Sequence, residues 1–331
     1  MTQVEDVEPL RILNAEPVGY CEDARRLLME LGTLTEKQVS RAELLAELSD
    51  YDVLIVRLRH QIDQEVLEVG ERLKVIVTAT TGLDHIDIEG AKARGVTVLS
   101  LHGEHDFLGS IRATAEHTWG LLLCLLRRIV PASLAVRLGE WNRDAFRGNE
   151  LYGKRLGIVG LGRIGRTIAG YGQAFGMDVS AYDPFTQEWR DGVGRAPTLA
   201  KLLAQSDVLS LHVPLNSETN GMIRPLELGL LPPGAVLLNT SRGPLINEAA
   251  LVDALERGHL AGAAVDVIAD ERDADQRMHS PLLRYARTHD NLLISPHIGG
   301  ATYESMAKTE VFMARKLEKF LASQEPMKEV R

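Results

Sequence analysis

Cysteine is nearly missing from this chain, with only Cys21 and Cys124 among 331 residues. Two thiols so far apart, each in an apolar helix-like stretch, exclude a disulfide framework and offer no metal-ligand spacing. They fit buried free thiols in a reducing compartment, so a cytoplasmic protein without a metal centre is expected. Positive charge is also in deficit: 37 Lys and Arg stand against 46 Asp and Glu, a net charge of −9. That balance argues against nucleic acid or an anionic membrane as partner, since both select for basic surfaces. Long apolar runs are absent. The most apolar segment, TWGLLLCLLRRIV (118–130), is too short to span a bilayer and carries Arg127 and Arg128. The opening MTQVEDVEPL is acidic and lacks an apolar signal core. Neither internal repeats nor low-complexity tracts occur.

What is present suits a globular protein of about two domains, at 45% hydrophobic and 25% charged. Strand-like and helix-like segments alternate throughout, which predicts parallel sheets covered by helices. Strands are expected at 10–14, 52–58, 74–79 and 96–100. Helices are expected in CEDARRLLMELG, RAELLAEL and IEGAKARG. These make a small doubly wound unit without a dinucleotide fingerprint. One longer helix is expected from about Ile111 to Val130.

Residues 156–165, LGIVGLGRIG, then break from an apolar run into Gly160, Gly162 and Gly165. Gly160 allows a tight turn, Gly162 lets the backbone approach a pyrophosphate, and Gly165 lets the following helix pack close to the strand. About twenty residues on, DVSAYDP ends a second apolar run at Asp183. A carboxylate there accepts hydrogen bonds from ribose hydroxyls and repels a 2′-phosphate, which favours NAD over NADP. Further strands are expected at 178–183, 207–213, 235–240, 262–267 and 291–297. A last helix at about Ser305–Ala322 could return to the first domain, and two sheets joined at two crossings would leave a cleft.

Three strand ends carry candidate chemistry. In NTSRGP, Arg242 stands beside Gly243 and Pro244; a surface arginine is the ordinary reading, but a rigid turn suits a guanidinium binding a carboxylate and its neighbouring carbonyl. In VDVIADER, Asp266 and Glu271 read by themselves as solvated acids. In SPHIGGAT, His297 sits between Pro296 and Gly299–Gly300, a setting that suits an acid/base imidazole with its ordinary pKa near 6.5. Histidines 60, 85 and 212 also fall near predicted strand ends. Reversible hydride transfer to a carbonyl needs a proton donor, a carboxylate to orient it and a cation for the substrate carboxylate. His297, Glu271 and Arg242 fit these roles.

The ordered set LGIVGLGRIG, AYDP, LHVPL, NTSRG, VDV…E and SPHIGG, with TGLDHID (81–87) and TAEHTWGLLL (114–123) upstream, resembles the D-isomer-specific 2-hydroxyacid dehydrogenases, the group that includes phosphoglycerate dehydrogenase. The resemblance covers nearly the whole chain. It implies an α/β fold of two doubly wound parallel-sheet domains: a Rossmann NAD-binding domain (106–301) inserted in a flavodoxin-like substrate domain (1–105 and 302–331). It implies a homodimer formed largely through the nucleotide domain, and an Arg–Glu–His catalytic set at Arg242, Glu271 and His297. The implied cofactor contacts fall on Thr81, on the glycine motif with Arg163 and Ile164, and on Asp183. They continue through His212, Val213 and Pro214, then Thr240 and Ser241, and end at Asp266 and the turn from His297 to Gly299 and Gly300. Asp266 is expected near the nicotinamide carboxamide. Thr80, Thr81 and Gly82 are expected to present backbone N–H groups to the substrate carboxylate.

The chain departs from that pattern in places. Arg272 and DADQRMH follow Glu271 where many relatives have proline, which predicts a longer or more mobile loop. In VRLRHQ (56–61), Arg57 and Arg59 either contact an anionic substrate, such as a phosphorylated acid, or stand solvated. His85 replaces a common asparagine. The chain stops soon after its last helix, so the C-terminal regulatory domain of some phosphoglycerate dehydrogenases is not expected. The reading is an NAD-dependent oxidoreductase acting on a small anionic D-2-hydroxy or 2-oxo acid. Two alternatives stay open: an NAD(H)-sensing, corepressor-like binding protein, and a phosphite- or formate-type dehydrogenase.

Overall fold

The computed structural model describes residues 8–187 and 189–324, so the acidic opening of the chain lies outside the described residues. The chain divides into two compact units, Met1–Leu108 with Thr302–Arg331, and Gly109–Ala301.

The first unit is a parallel sheet of β1 (Leu10–Asn14), β2 (Gly32–Glu36), β3 (Val53–Val56), β4 (Val75–Thr78) and β5 (Thr97–Leu99), in the order β2-β1-β3-β4-β5. This is the doubly wound order of flavodoxin-like sheets. β3 and β4 are buried along their whole length, so they read as unbroken apolar runs rather than alternating ones. The last helix, Tyr303–Gln324, packs in this unit. There the carboxylate of Glu310 is buried. It accepts the Cys21 N–H at 2.6 Å and pairs with Arg57 at 3.0 Å. Phe312 stacks on Phe107 with ring centroids 4.0 Å apart, and Lys316 donates to the Ser100 carbonyl at 2.8 Å.

The second unit has seven parallel strands: β6 (Arg155–Val159), β7 (Asp178–Tyr182), β8 (Gly194–Arg195), β9 (Val208–Leu211), β10 (Ala235–Asn239), β11 (Leu260–Val265) and β12 (Leu292–Ile294). Their order is β12-β11-β10-β9-β6-β7-β8. Numbered from β6, the six strands from β6 to β11 run 3-2-1-4-5-6, the Rossmann arrangement, with β12 added beyond. The chain winds in opposite directions from β6 and β9, which makes their C-terminal ends the switch point where such sheets bind ligands. Alternate residues feed two cores: Leu209, Leu211 and Leu237 lie in one, and Ile158, Val208, Val236 and Leu238 in the other. Each fully buried leucine or valine contributes roughly 1.5–3 kcal/mol of apolar burial.

Four local elements differ from the expectation. The helix expected over 111–130 ends at Leu126, Arg128 turns left-handed (φ 51), and a new helix, Ile129–Arg137, begins. Pro131 accounts for the restart, because proline is tolerated only in the first turn of a helix. β2 and β8 are short edge strands without a buried residue, so they lack the apolar run that marks the central strands. The helix Gln64–Val69 buries only Val66 and Leu67, too little for a clear periodic signal.

Candidate active site

The glycine corner follows β6. Gly160 has φ 90, and a Cβ there would fall 2.5 Å from the His212 carbonyl oxygen, so the turn requires glycine. A Cβ on Gly165 would fall 2.0 Å from the Gly160 carbonyl oxygen, which is how closely the helix Arg163–Ala174 rides on the strand. Gly162 differs: a Cβ there meets nothing within 4 Å, and the residue is exposed at the helix N-cap without a side-chain cap. The uncapped N–H groups and the open space above Gly162 fit a pyrophosphate at the helix N-terminus. Arg163 and Ile164 open that helix. Burial, with the Arg112 charge adding to it, lowers the pKa of the Arg163 guanidinium, a setting that favours an anion nearby.

Asp183 follows β7. Its Oδ2 accepts the Leu161 N–H at 2.8 Å, and its Oδ1 accepts the N–H groups of Phe185 (2.9 Å) and Thr186 (3.1 Å). The carboxylate thus ties the glycine turn to the end of the neighbouring strand, while the residue stays partly exposed.

His212, Val213 and Pro214 follow β9. His212 Nε2 lies 2.8 Å from Ser210 Oγ, and burial pushes the imidazole pKa down to about 3. After β10, the Thr240 hydroxyl lies 2.7 Å from that of Thr118. Asn239 then braces the turn that carries Arg242: its Nδ2 donates to the Arg242 carbonyl at 2.8 Å and its Oδ1 accepts the Ser241 N–H at 3.0 Å. Ser241 Oγ donates to the Leu211 carbonyl at 2.8 Å, and Arg242 Nη1 to the Ser241 carbonyl at 2.7 Å.

Beyond β11, Asp266 is buried rather than solvated. Its Oδ1 accepts the Ser295 hydroxyl (2.6 Å), the Ile298 N–H (2.9 Å) and His117 Nε2 (3.2 Å), and its Oδ2 accepts the Gly299 N–H (2.7 Å). Burial pushes the Asp266 carboxyl up, but the bonds from His117, Ser295, Ile298 and Gly299 outweigh it and hold it below the ordinary aspartate range. His117 Nε2 also lies 2.8 Å from Ser295 Oγ. Because the serine proton goes to Asp266, His117 is the donor to both.

His297 follows β12 in the left-handed region (φ 54), which costs a non-glycine residue about 1 kcal/mol or more. Its N–H donates to the carbonyls of Asp266 (2.8 Å) and Ser295 (3.0 Å). Its Nδ1 lies 2.5 Å from Glu271 Oε1. Both side chains remain about one-fifth exposed, 22% for His297 and 21% for Glu271. Glu271 engages Nδ1, so Nε2 is the ring nitrogen available for proton exchange.

The predicted residues of this unit therefore all follow the C-terminal ends of its strands, at one end of the sheet. Arg57, Arg59, Thr80, Thr81 and Gly82 belong to the other unit, after β3 and β4. There the Arg57 guanidinium pairs with Glu310, lies 5.5 Å from the centre of the Tyr20 ring and donates to the Val18 carbonyl at 3.2 Å, whereas Arg59 is exposed. The Thr80 hydroxyl donates to the Gly82 carbonyl at 2.9 Å, shaping that loop. His117 and Ser295 carried no assigned role in the sequence reading. Each stood inside a recognised motif, and only contact across 178 positions reveals their partnership.

Comparison with known proteins agrees with this arrangement. Residues 119–299 match the family model described as D-isomer specific 2-hydroxyacid dehydrogenase, NAD binding domain. The chain is 36% identical over 316 residues to a D-3-phosphoglycerate dehydrogenase of Methanocaldococcus jannaschii, covering 94% of this chain and 57% of that protein. It thus spans little more than half the length of such curated relatives. Among solved structures, a D-lactate dehydrogenase from Aquifex aeolicus complexed with NAD and lactic acid superposes with a TM-score of 0.82 at 29% identity, over 94% of this chain and 95% of that one. A protein from Thermus thermophilus superposes with a TM-score of 0.83 at 33% identity, over 97% and 100% of the two chains.

Proposed function

Because the chain belongs to the D-isomer-specific 2-hydroxyacid dehydrogenases, we propose that it interconverts a D-2-hydroxy acid and the matching 2-oxo acid with NAD as cofactor. The observation that carries the proposal is the 2.5 Å contact between Glu271 Oε1 and His297 Nδ1, on a turn locked by buried Asp266. The glycine corner, Arg163 and Asp183 would hold the dinucleotide, whose nicotinamide donates or accepts the hydride when bound.

The side chains do the rest. In reduction, His297 gives the proton on Nε2 to the substrate carbonyl oxygen; in oxidation it takes the hydroxyl proton back. Glu271 holds the ring in one orientation through Nδ1 and stabilises the imidazolium by its opposite charge. Arg242, braced by Asn239, binds the substrate carboxylate and polarises the adjacent carbonyl. The exposed apolar residues of 129–141, among them Leu134, Leu138 and Trp141, support a homodimer built on this unit.

The test is NADH oxidation followed by absorbance with a panel of 2-oxo acids: pyruvate, glyoxylate, hydroxypyruvate and phosphohydroxypyruvate. Turnover with at least one is expected. Tight NADH binding without turnover on any of them would instead favour a dinucleotide-sensing protein.

A further inference from the structure

Glu248 opens the helix Glu248–Glu256, well before Glu271 in the chain. Its two carboxylate oxygens reach two separate places. Oε1 accepts the Ala269 N–H at 2.6 Å, and Oε2 accepts the Ser280 hydroxyl at 2.9 Å. Ala269 and Ser280 bracket the segment that carries Glu271.

Within the bracket, packing does little to fix the chain. Residues 273–279 are all exposed, and the helix Ala274–Met278 buries no side chain. The backbone is instead shaped by polar contacts. Asp270 turns left-handed (φ 52), and Asp273 Oδ1 caps the helix through the N–H groups of Asp275 (2.9 Å) and Gln276 (3.0 Å). Arg277 Nη1 donates to the Glu271 carbonyl at 2.8 Å. At the entry, Gly243 sits against the Ile268–Ala269 peptide so closely that a Cβ would fall 2.0 Å from the Ile268 carbonyl carbon. A surface segment with few buried apolar contacts opens easily unless something ties its ends. Glu248 ties both.

We propose that Glu248 is a positioning residue, a single carboxylate that clasps both ends of segment 269–280 and so keeps Glu271 against His297. The proposal rests on the catalytic reading of that pair. Burial pushes the Glu248 carboxyl up and Asp270 adds to this, while the bonds from Ala269 and Ser280 pull it down without cancelling the rise. An acid kept in a site that disfavours its charge is consistent with a role defined by the two donors it holds.

The test is a double-mutant cycle on the full chain, with hydrogen–deuterium exchange on the same proteins. Glu248→Ala should lower kcat for oxo-acid reduction about tenfold or more, with the KM for NADH within about twofold. Acting through Glu271, it should add nothing once Glu271 is gone: Glu248→Ala/Glu271→Ala should turn over within about twofold of Glu271→Ala. Exchange in 269–280 should quicken about tenfold or more in Glu248→Ala and not elsewhere. Glu248→Gln keeps an acceptor oxygen for Ala269 and an amide for the Ser280 hydroxyl, and should restore much of both. Losses that multiply in the double variant, or unchanged exchange in the segment, would overturn the clasp. If Glu271→Ala turns over like the parent, the catalytic reading fails, and exchange alone then decides whether the clasp exists.

Discussion

The main-chain N–H of His297 donates to the main-chain carbonyl of Asp266 at 2.8 Å. Through that bond, and the Ile298 and Gly299 N–H groups on its carboxylate, a buried aspartate holds the next turn in a left-handed conformation that is uncommon for residues other than glycine. The strain at His297 is balanced locally, by the neighbour one strand away, so the ring meets Glu271 in a preset position.

Two glycine substitutions separate fold from binding. Gly165→Ala drives a Cβ to 2.0 Å from the Gly160 carbonyl oxygen and should cost about 1–3 kcal/mol or more of stability. Gly162→Ala meets open space, so its Tm should change by only a few degrees, while NADH affinity falls about tenfold or more. Thermal melts and NADH fluorescence titrations on both variants check this. Normal NADH affinity in Gly162→Ala would remove the pyrophosphate from that corner.

Asp183→Asn removes the negative charge and keeps one acceptor oxygen, enough for the Phe185 and Thr186 N–H groups but not for that of Leu161 as well. The ratio of kcat/KM for NADPH to that for NADH should rise about tenfold or more. Steady-state kinetics with both cofactors decide it, and an unchanged ratio means that Asp183 is not beside the ribose.

Folding should weaken in acid through His212. Burial lowers its folded-state pKa to about 3, so the unfolded chain, with an imidazole pKa near 6.5, binds the proton more readily. The contribution is complete above pH 6.5 and is lost as the pH falls from there toward 3. Urea midpoints should drop between pH 7 and pH 5 more steeply in the parent than in His212→Asn. Parallel pH curves would show that the imidazole stays ionisable in the fold.

The parts of this molecule that were legible in the sequence are those whose physics is local. A strand buried on both faces has to be an apolar run, and a turn at φ 90 beside a neighbouring carbonyl has to be Gly160. Arg242 and His297 stand out by their proline–glycine turns at strand ends, whereas Glu271, read alone, passes for a solvated acid and takes its role only from the chemistry the other two imply. Other features depended on distant partners. Asp266 reads as a solvated loop acid until His117 and Ser295 are placed around it. Glu248 looks like any first-turn helix acid until Ala269 and Ser280 arrive on its two oxygens. Arg57 reads equally as a substrate contact or a solvated cation, and only the structure shows its guanidinium paired with Glu310 on the returning helix. The edge strands β2 and β8 bury no residue and leave no hydrophobic trace.

The most direct measurement pairs the turnover of His297→Ala on the best 2-oxo acid with its dissociation constant for NADH. If His297 is the proton donor, kcat should fall about 10²–10⁴-fold while NADH affinity stays within about threefold of the parent. Turnover near the parental value, or a parallel loss of both, would contradict the account.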